Sequence, residues 1–416
     1  MSSGKYIIRH FDLSEPIVQP VDTAAYYCVF WYKSIPLGER YISAFQDLTE
    51  GEFLAECLEA IWPTLLSLHH SQNGKSEIAR PEGITMGALT KICEILEAIH
   101  PKKFPETCEV SVVICTRDRA DSLKQCLTLL HQQITKPGEI IVVDNASVTN
   151  DTANVVALFP EVRYVREDRP GLDIARNTGA MEARRPIVAY TDDDTIPDEH
   201  WVYRIYETFK DQSAAAMTGL VIAASLETEA ELIFEKYWPF NRGYLKKIYD
   251  RHFFHSTLAV GPPVWEIGAG ANMAFRKEIF EAVGFFDERL DVGAAGCSGD
   301  SEMWYRILAN GYSIVYNPLA VVRHTHRNSI EGLKKQLHGY MRGFTVAILI
   351  QYQRFGHSGN LKHLVKVFPF YYLTLLRKGF PKYAFQYRTL LSEMSGVVSG
   401  LFYYWKHRNF NSKINL

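Results

Sequence analysis

The sequence has no CxxC pair, no long apolar run, no internal repeat and no low-complexity tract. Each absence removes a class of protein. Its seven cysteines (Cys28, Cys57, Cys93, Cys108, Cys115, Cys126 and Cys297) are scattered and odd in number. That argues against a zinc ribbon or a secreted disulfide scaffold and fits reduced thiols. The opening stretch MSSGKYIIRHFDLSEP lacks the apolar core of a signal peptide, so a cytoplasmic location is expected. Apolar runs such as residues 344–350 and 367–376 fall well short of the roughly 18 residues that span a bilayer. A composition of 47% hydrophobic and 22% charged residues excludes disorder, collagen and coiled coil.

The small net charge of −2 conceals an asymmetry. Residues 323–416 carry 15 Lys/Arg against two Asp/Glu, leaving −15 on the rest of the chain. A basic tail on an acidic body predicts a separate task for the tail.

Three regions follow from pattern. Residues 1–106 read as a small N-terminal α/β module. It has a strand near residues 26–33, a turn at Ile35-Pro36-Leu37-Gly38, helices at 50–68 and 84–100, and a linker at 101–105. Residues 107–327 alternate strands and helices. Strands are expected at 110–115, 139–143, 162–166 and 187–190. Helices are expected from a cap at Asp121 or Ser122 to Gln133, at 150–158 and within 171–184, and Lys136-Pro137-Gly138 reads as a turn. Such alternation implies βαβ units and a mostly parallel sheet, with ligands at the carboxyl ends of the strands. Thr116-Arg117-Asp118, Asp144-Asn145 and Asp192-Asp193-Asp194 should therefore converge. Residues 328–416 read as a helical, basic and aromatic C-terminal region.

The acidic triplet carries the strongest chemical signal. Three adjacent carboxylates repel one another unless a cation neutralises them, and hard oxygen ligands suit Mg²⁺ or Mn²⁺ bridging to phosphates. In an extended segment Asp192 and Asp194 point one way and Asp193 the other, which predicts metal ligation by the outer pair.

Several stretches, in order, resemble the family 2 glycosyltransferases. They are VSVVICTRDRADSLKQCL, IIVVDNAS, RPGLDIARNTG, IVAYTDDDTIPDEHW, GAGANMAFRKEIFEAVGFFDE and GDSEMWYRILANGYSIVYNPLAVVRHTHR. The resemblance spans about half the chain, residues 110–327. It implies a GT-A (Rossmann-like) α/β catalytic domain, a nucleotide-diphosphate-sugar donor (a UDP-sugar by default), a divalent metal (Mn²⁺ or Mg²⁺) and transfer with inversion. On the donor side it implies Thr116, Arg117, Asp144, Arg176, Asn177 and Asp193. The metal ligands would be Asp192 and Asp194, with His324 or His326 closing the shell and His324 favoured by the HTHR spacing. Aligned through Trp304-Tyr305-Arg306, Asp300 takes the place of the general base, with Glu302 as the other candidate. Gly299 departs from the pattern, since relatives have an acidic residue there, and Asp173 stands where relatives often have a small polar one. Gly270, Asn272 and Trp304 are expected on the acceptor side, facing a glycan or lipid-linked hydroxyl.

Competing readings are a sugar-nucleotidyltransferase, disfavoured because residues 110–118 lack its Gly-rich basic loop, and a catalytically impaired binding protein of the same fold. The tail reads as a peripheral contact with the inner face of a membrane, or as a subdomain that packs on the body or makes a homodimer. Nucleic-acid binding is not expected, since no recognition motif accompanies the charge.

Overall fold

The computed structural model describes residues 5–20, 22–73 and 86–409. Its first sheet shows how period-2 patterning joins two parts of the chain. Strand β2 (Ala25–Tyr32) lies between β1 (Tyr6–Asp12), parallel to it, and β3 (Ile35–Ile42), antiparallel. Successive side chains on a strand face opposite ways. Tyr26, Cys28, Phe30 and Tyr32 pack with residues of the helices Glu50–Asn73 and Met86–Ile99, including Phe53, Ile61 and Leu96. Tyr27 and Val29 instead pack on Leu220, Ile222 and Val321 of the central sheet. Half-buried Glu39 of β3 fastens the same seam, accepting hydrogen bonds from Tyr27, Asn241 (2.7 Å) and Tyr244 (2.9 Å).

The turn expected at residues 35–38 falls two residues earlier. Lys33 takes a positive φ of 51° between the paired ends of β2 and β3, and Ile35–Ile42 is strand. Gly38 serves packing instead, because a Cβ there would collide with the Ala60 carbonyl of the covering helix. Pro36 is tolerated because β3 is an edge strand of this three-stranded sheet. The helix expected at 84–100 runs Met86–Ile99, and residues 84 and 85 lie outside the described residues.

The central sheet is built from β4 (Thr107–Thr116), β5 (Lys136–Asn145), β6 (Val162–Glu167), β7 (Ile187–Asp192), β8 (Thr195–Pro197), β9 (Ala214–Ala223), β10 (Lys247–Tyr249), β11 (Asn272–Arg276) and β12 (Ser313–His324). The order is β10-β12-β9-β11-β7-β4-β5-β6, with β8 paired to β12. Strands β4 to β7 are mutually parallel, as are β9 and β12, and β11 runs antiparallel between β7 and β9. This is the α/β, mostly parallel architecture that the alternation implies. β4 lies between β5 and β7, so the strand order reverses there and opens a crevice at the strand ends. Lys136-Pro137 is the start of β5, paired with Thr107-Cys108, and not a turn. The helix after β4 begins at Ala120, ahead of the expected cap.

Two buried clusters sandwich the sheet. Val112 and Ile114 pack with Leu123, Leu127, Trp201 and Ile205 on one face. Val113 and Val143 pack with Ala175, Met303 and Trp304 on the other. The C-terminal region is helical, with Ile330–Phe355, Phe368–Gly379 and Leu390–His407 as its longest helices. No helix among the described residues is long and apolar enough to cross a membrane.

Candidate active site

The acidic run sits where β7 ends. Asp192 is the last residue of β7, and Asp193 and Asp194 turn the chain into β8. Antiparallel pairing of β8 with β12 sets Thr195 opposite His324, so the sheet itself brings a histidine 130 positions away to the triplet. One ligand atom each from Asp192, Asp194 and His324 lie within 4.8 Å of one another. His324 Nε2 is 3.6 Å from Asp194 Oδ1. Two carboxylates and an imidazole form a donor set that fits Mn²⁺, and Mg²⁺ less well. His326 turns away. It is buried, with Nε2 2.9 Å from Glu235 Oε2, and packs on Phe234.

Asp193 stays outside that three-residue cluster, and it sits in a turn and not in the extended segment that alternation assumes. Its Oδ2 accepts from the Thr116 hydroxyl at 2.6 Å and its Oδ1 from Arg119 Nη1 at 2.7 Å. Arg119 Nη2 donates to Asp194 Oδ2, also at 2.7 Å. Arg119 thus spans both carboxylates. Arg117, the arginine expected on the donor side, has an exposed guanidinium 3.7 Å from Asp118 instead. Asp118, at φ 53°, bends the chain between the two arginines. Its carboxylate accepts from the Val148 amide at 2.7 Å, and its own amide donates to Ser147 Oγ at 3.0 Å.

Burial dominates the electrostatics. It raises the Asp192 carboxyl to about 7, with Asp194 adding repulsion, and raises Asp193 to about 6 against the pull of Arg119. Burial also works against ionisation of Asp194, but His324 and Arg119 outweigh it and hold that carboxyl below its usual range. Burial lowers His324 to about 4, so its ring is neutral near pH 7 and free to ligate.

Asp144, the penultimate residue of β5, is fully buried. It accepts from the Tyr164 hydroxyl (2.6 Å), Arg166 Nη1 (2.9 Å) and the Ser147 amide (3.3 Å). Burial alone would raise its carboxyl, yet these donors prevail and keep it below the ordinary value. Asn177 is buried and exchanges hydrogen bonds with the backbone of Phe286 at 2.8 and 3.0 Å, so its amide fixes the chain at that point. Arg176 is also buried, with Nη1 3.0 Å from Asp173 and 2.6 Å from Asp291. Asp291 had no signal in the sequence motifs.

On the other side of Arg176 stands Asp300, in the first turn of the helix Gly299–Ala309. Its Oδ1 accepts from the Ser301 amide at 2.6 Å. Its Oδ2 faces Gly270: a Cβ on Gly270 would stand 3.5 Å from that oxygen and 2.6 Å from Arg176 Nη2. Burial raises the Asp300 carboxyl, Asp291 adds to this, and Arg176 opposes it. Glu302 is fully buried and held by Arg306 at 2.7 Å and Arg354 at 3.5 Å, which leaves Asp300 as the carboxylate with an open oxygen.

Two expected acceptor-side residues are core residues instead. Asn272 bonds the carbonyls of Leu220 (3.0 Å) and Ala320 (2.8 Å) and accepts from Trp201 Nε1 (2.9 Å), using its whole amide inside the sheet. Trp304 is fully buried and stacks on Phe275 with centroids 5.1 Å apart. Local sequence could not separate these roles, because both residues belong to motifs that also border the site.

Residues 111–284 match the model of Glycosyl transferase family 2. Over 234 residues the chain is 25% identical to the pre-mycofactocin glycosyltransferase of Mycobacterium tuberculosis, a match that covers 56% of this chain and 46% of that one. It is 26% identical over 235 residues to the glycosyltransferase AglE of Haloferax volcanii, covering 55% of this chain and 70% of that one. The chain thus spans about half the length of the mycobacterial relative. Among solved structures it resembles the mannosyltransferase PcManGT of Pyrobaculum calidifontis, a complex with GDP-Man and Mn²⁺, at a TM-score of 0.45 and 17% identity over 72% of this chain and 91% of that one. The motifs at the strand ends and the family match lead to one assignment, limited to the matched stretch: residues 111–284 carry a glycosyl transferase family 2 domain.

Proposed function

We propose that this protein is an inverting, metal-dependent glycosyltransferase. It moves a sugar from a nucleotide-diphosphate donor, with a UDP-sugar favoured, to a hydroxyl of a glycan or lipid-linked acceptor. The observation that supports this most directly is the meeting of Asp192, Asp194 and His324 at the end of β7, with Asp300 presenting a free oxygen across Gly270.

Asp192, Asp194 and His324 hold Mn²⁺ or Mg²⁺. When bound, the cation stabilises negative charge on the departing nucleotide diphosphate. Arg119 keeps Asp193 and Asp194 in place through its two hydrogen bonds. Thr116 and Asp144, at the ends of β4 and β5, border the nucleotide, Asp193 borders the donor ribose or sugar, and Arg176 reaches the sugar from beside Gly270. Asp300 accepts the proton of the attacking hydroxyl through Oδ2. A carboxyl raised by burial and by Asp291 is a stronger base than an exposed one. The missing side chain at Gly270 lets the Arg176 guanidinium lie against the backbone beside Asp300.

Gly299, where relatives have an acidic residue, is the departure that leaves room for a catalytically impaired protein. The missing acidic side chain is matched by the Asp173 carboxylate, which fills that space from another helix. The direct test is thermal stabilisation by MnCl₂ with UDP, GDP or CDP. A rise in melting temperature that needs both metal and nucleotide, and that Asp194→Ala abolishes, is expected. Metal-independent nucleotide binding, indifferent to Asp194→Ala, would overturn the assignment.

A further inference from the structure

The helix Leu390–His407 is apolar on two opposite faces. Leu390, Glu393, Gly396 and Gly400 are buried, and the two glycines seat it on the helix Ile330–Phe355. A Cβ on Gly396 would collide with the His338 carbonyl, and one on Gly400 would stand 2.7 Å from the Arg342 carbonyl. Leu391, Val398, Phe402 and Trp405 line the opposite face, exposed by 76%, 52%, 72% and 69%. At 100° per residue these four form one stripe. An ordinary surface helix turns polar residues outward, and this one turns its largest apolar side chains to solvent.

The neighbouring helical segment repeats the feature. Phe370 and Phe380 are each 73% exposed. Lys366, Val367, Phe370, Tyr371 and Thr374 line a shallow apolar groove. The two segments belong to one packed unit, joined through the buried cluster of Met341, Tyr372 and Leu390.

The segment itself is strongly basic, although Glu229 of the catalytic domain pairs with Arg388 at 2.7 Å. Residues 332–409 hold twelve Lys/Arg and a single carboxylate, Glu393. Glu393 is buried, accepting from Thr389 at 2.6 Å and Tyr372 at 3.2 Å, so no acidic side chain of this stretch faces outward. Exposed aromatics interspersed with lysine and arginine suit the boundary between headgroups and acyl chains of an anionic bilayer. A second copy of the same surface would bring like charges together.

We propose that the C-terminal helices form a docking surface for an anionic lipid bilayer, bound in the interface and not spanning it. An aromatic column leads from this surface back to the catalytic domain. Phe368 lies 4.9 Å from His363 and 5.2 Å from Phe344, and both of those rings pack on Trp265, at 5.2 and 4.9 Å. Trp265 precedes the Gly270 loop that faces Asp300. Docking therefore brings the acceptor side toward the membrane, which selects a lipid-linked acceptor; that last step rests on the function proposed above, while the docking itself does not.

The test is co-flotation of the full chain with phosphatidylcholine vesicles, with and without phosphatidylglycerol, at low and high salt. Binding that needs the anionic lipid and weakens with salt is expected, and Phe402→Ser/Trp405→Ser should reduce it about tenfold or more. Both substitutions are at exposed positions, so an unchanged melting temperature verifies folding. Absence of flotation, or flotation that the double variant leaves intact, overturns the proposal. So does a solution dimer that the same variant dissociates without any vesicle binding. Stabilisation by Mn²⁺ and UDP, measured in parallel, reads the catalytic assignment separately.

Discussion

Gly299 and Asp173 occupy one another's space: the Asp173 carboxylate lies where a side chain at residue 299 would begin. Asp173 is buried, its Oδ1 takes a hydrogen bond from Arg176, and its Oδ2 has no partner among the described residues. Gly299→Asp should therefore destabilise the protein by about 1–3 kcal/mol, since overpacking and a second buried carboxylate act together. Asp173→Ser/Gly299→Asp should recover most of that loss, because the double change relocates the carboxylate without adding one. Chemical denaturation of the two single variants and the double variant gives the coupling. Additive losses would mean that the two positions are independent.

Arg119 and Arg117 should separate cleanly. Arg119→Ala strips Asp193 and Asp194 of their shared cation and should weaken nucleotide binding in the presence of Mn²⁺, by about 1–3 kcal/mol for hydrogen bonds to charged groups. Arg117→Ala removes an exposed side chain whose ion pair with Asp118 spans 3.7 Å, and its effect should stay within about 0.5 kcal/mol. Calorimetric titration of UDP into each Mn²⁺-loaded variant makes the comparison.

Metal affinity should depend on pH with a definite sign. The folded-state carboxyl of Asp192 is raised to about 7, so the metal-free fold binds a proton there that the unfolded chain does not hold between about pH 4 and 7. The metal-free protein should accordingly lose stability as pH rises through that window. Mn²⁺ must displace the same proton, so its affinity should fall by up to about tenfold per unit as pH drops below 7. Titration of Mn²⁺ by electron paramagnetic resonance across that range reads this directly. Among the histidines, His324→Ala should lose the metal. His326→Ala should instead cost stability by leaving Glu235 without its 2.9 Å partner, with metal binding retained.

Asp300→Asn should keep metal and nucleotide binding while lowering turnover by about 10²–10⁴-fold, the usual contribution of a general base. The readout is nucleotide release from a UDP-sugar alongside Mn²⁺–UDP stabilisation. Loss of both together would assign Asp300 a structural role. Glu302→Gln differs, since it breaks the buried pair with Arg306 and should mainly lower the melting temperature.

The sequence by itself determined the alternation of strands and helices, the resemblance of residues 111–284 to a glycosyltransferase family, and the placing of the acidic run just after a buried strand. These are local properties: apolar runs and period, and the short stretches that carry the motifs. Tertiary structure alone decided which residues meet. Arg119 and not Arg117 reaches Asp193 because Asp118 takes a positive φ between them. His324 and not His326 faces Asp194 because the register of β8 on β12 sets His324 opposite Thr195, whereas His326 lies past the end of β12 and pairs with Glu235. Asn272 and Trp304 withdrew into the core because their hydrogen bonds and stacking are satisfied there by residues far away in sequence. The exchange between Gly299 and Asp173 was legible as two separate departures from the family pattern. Only the packing of one helix against another made them a single feature.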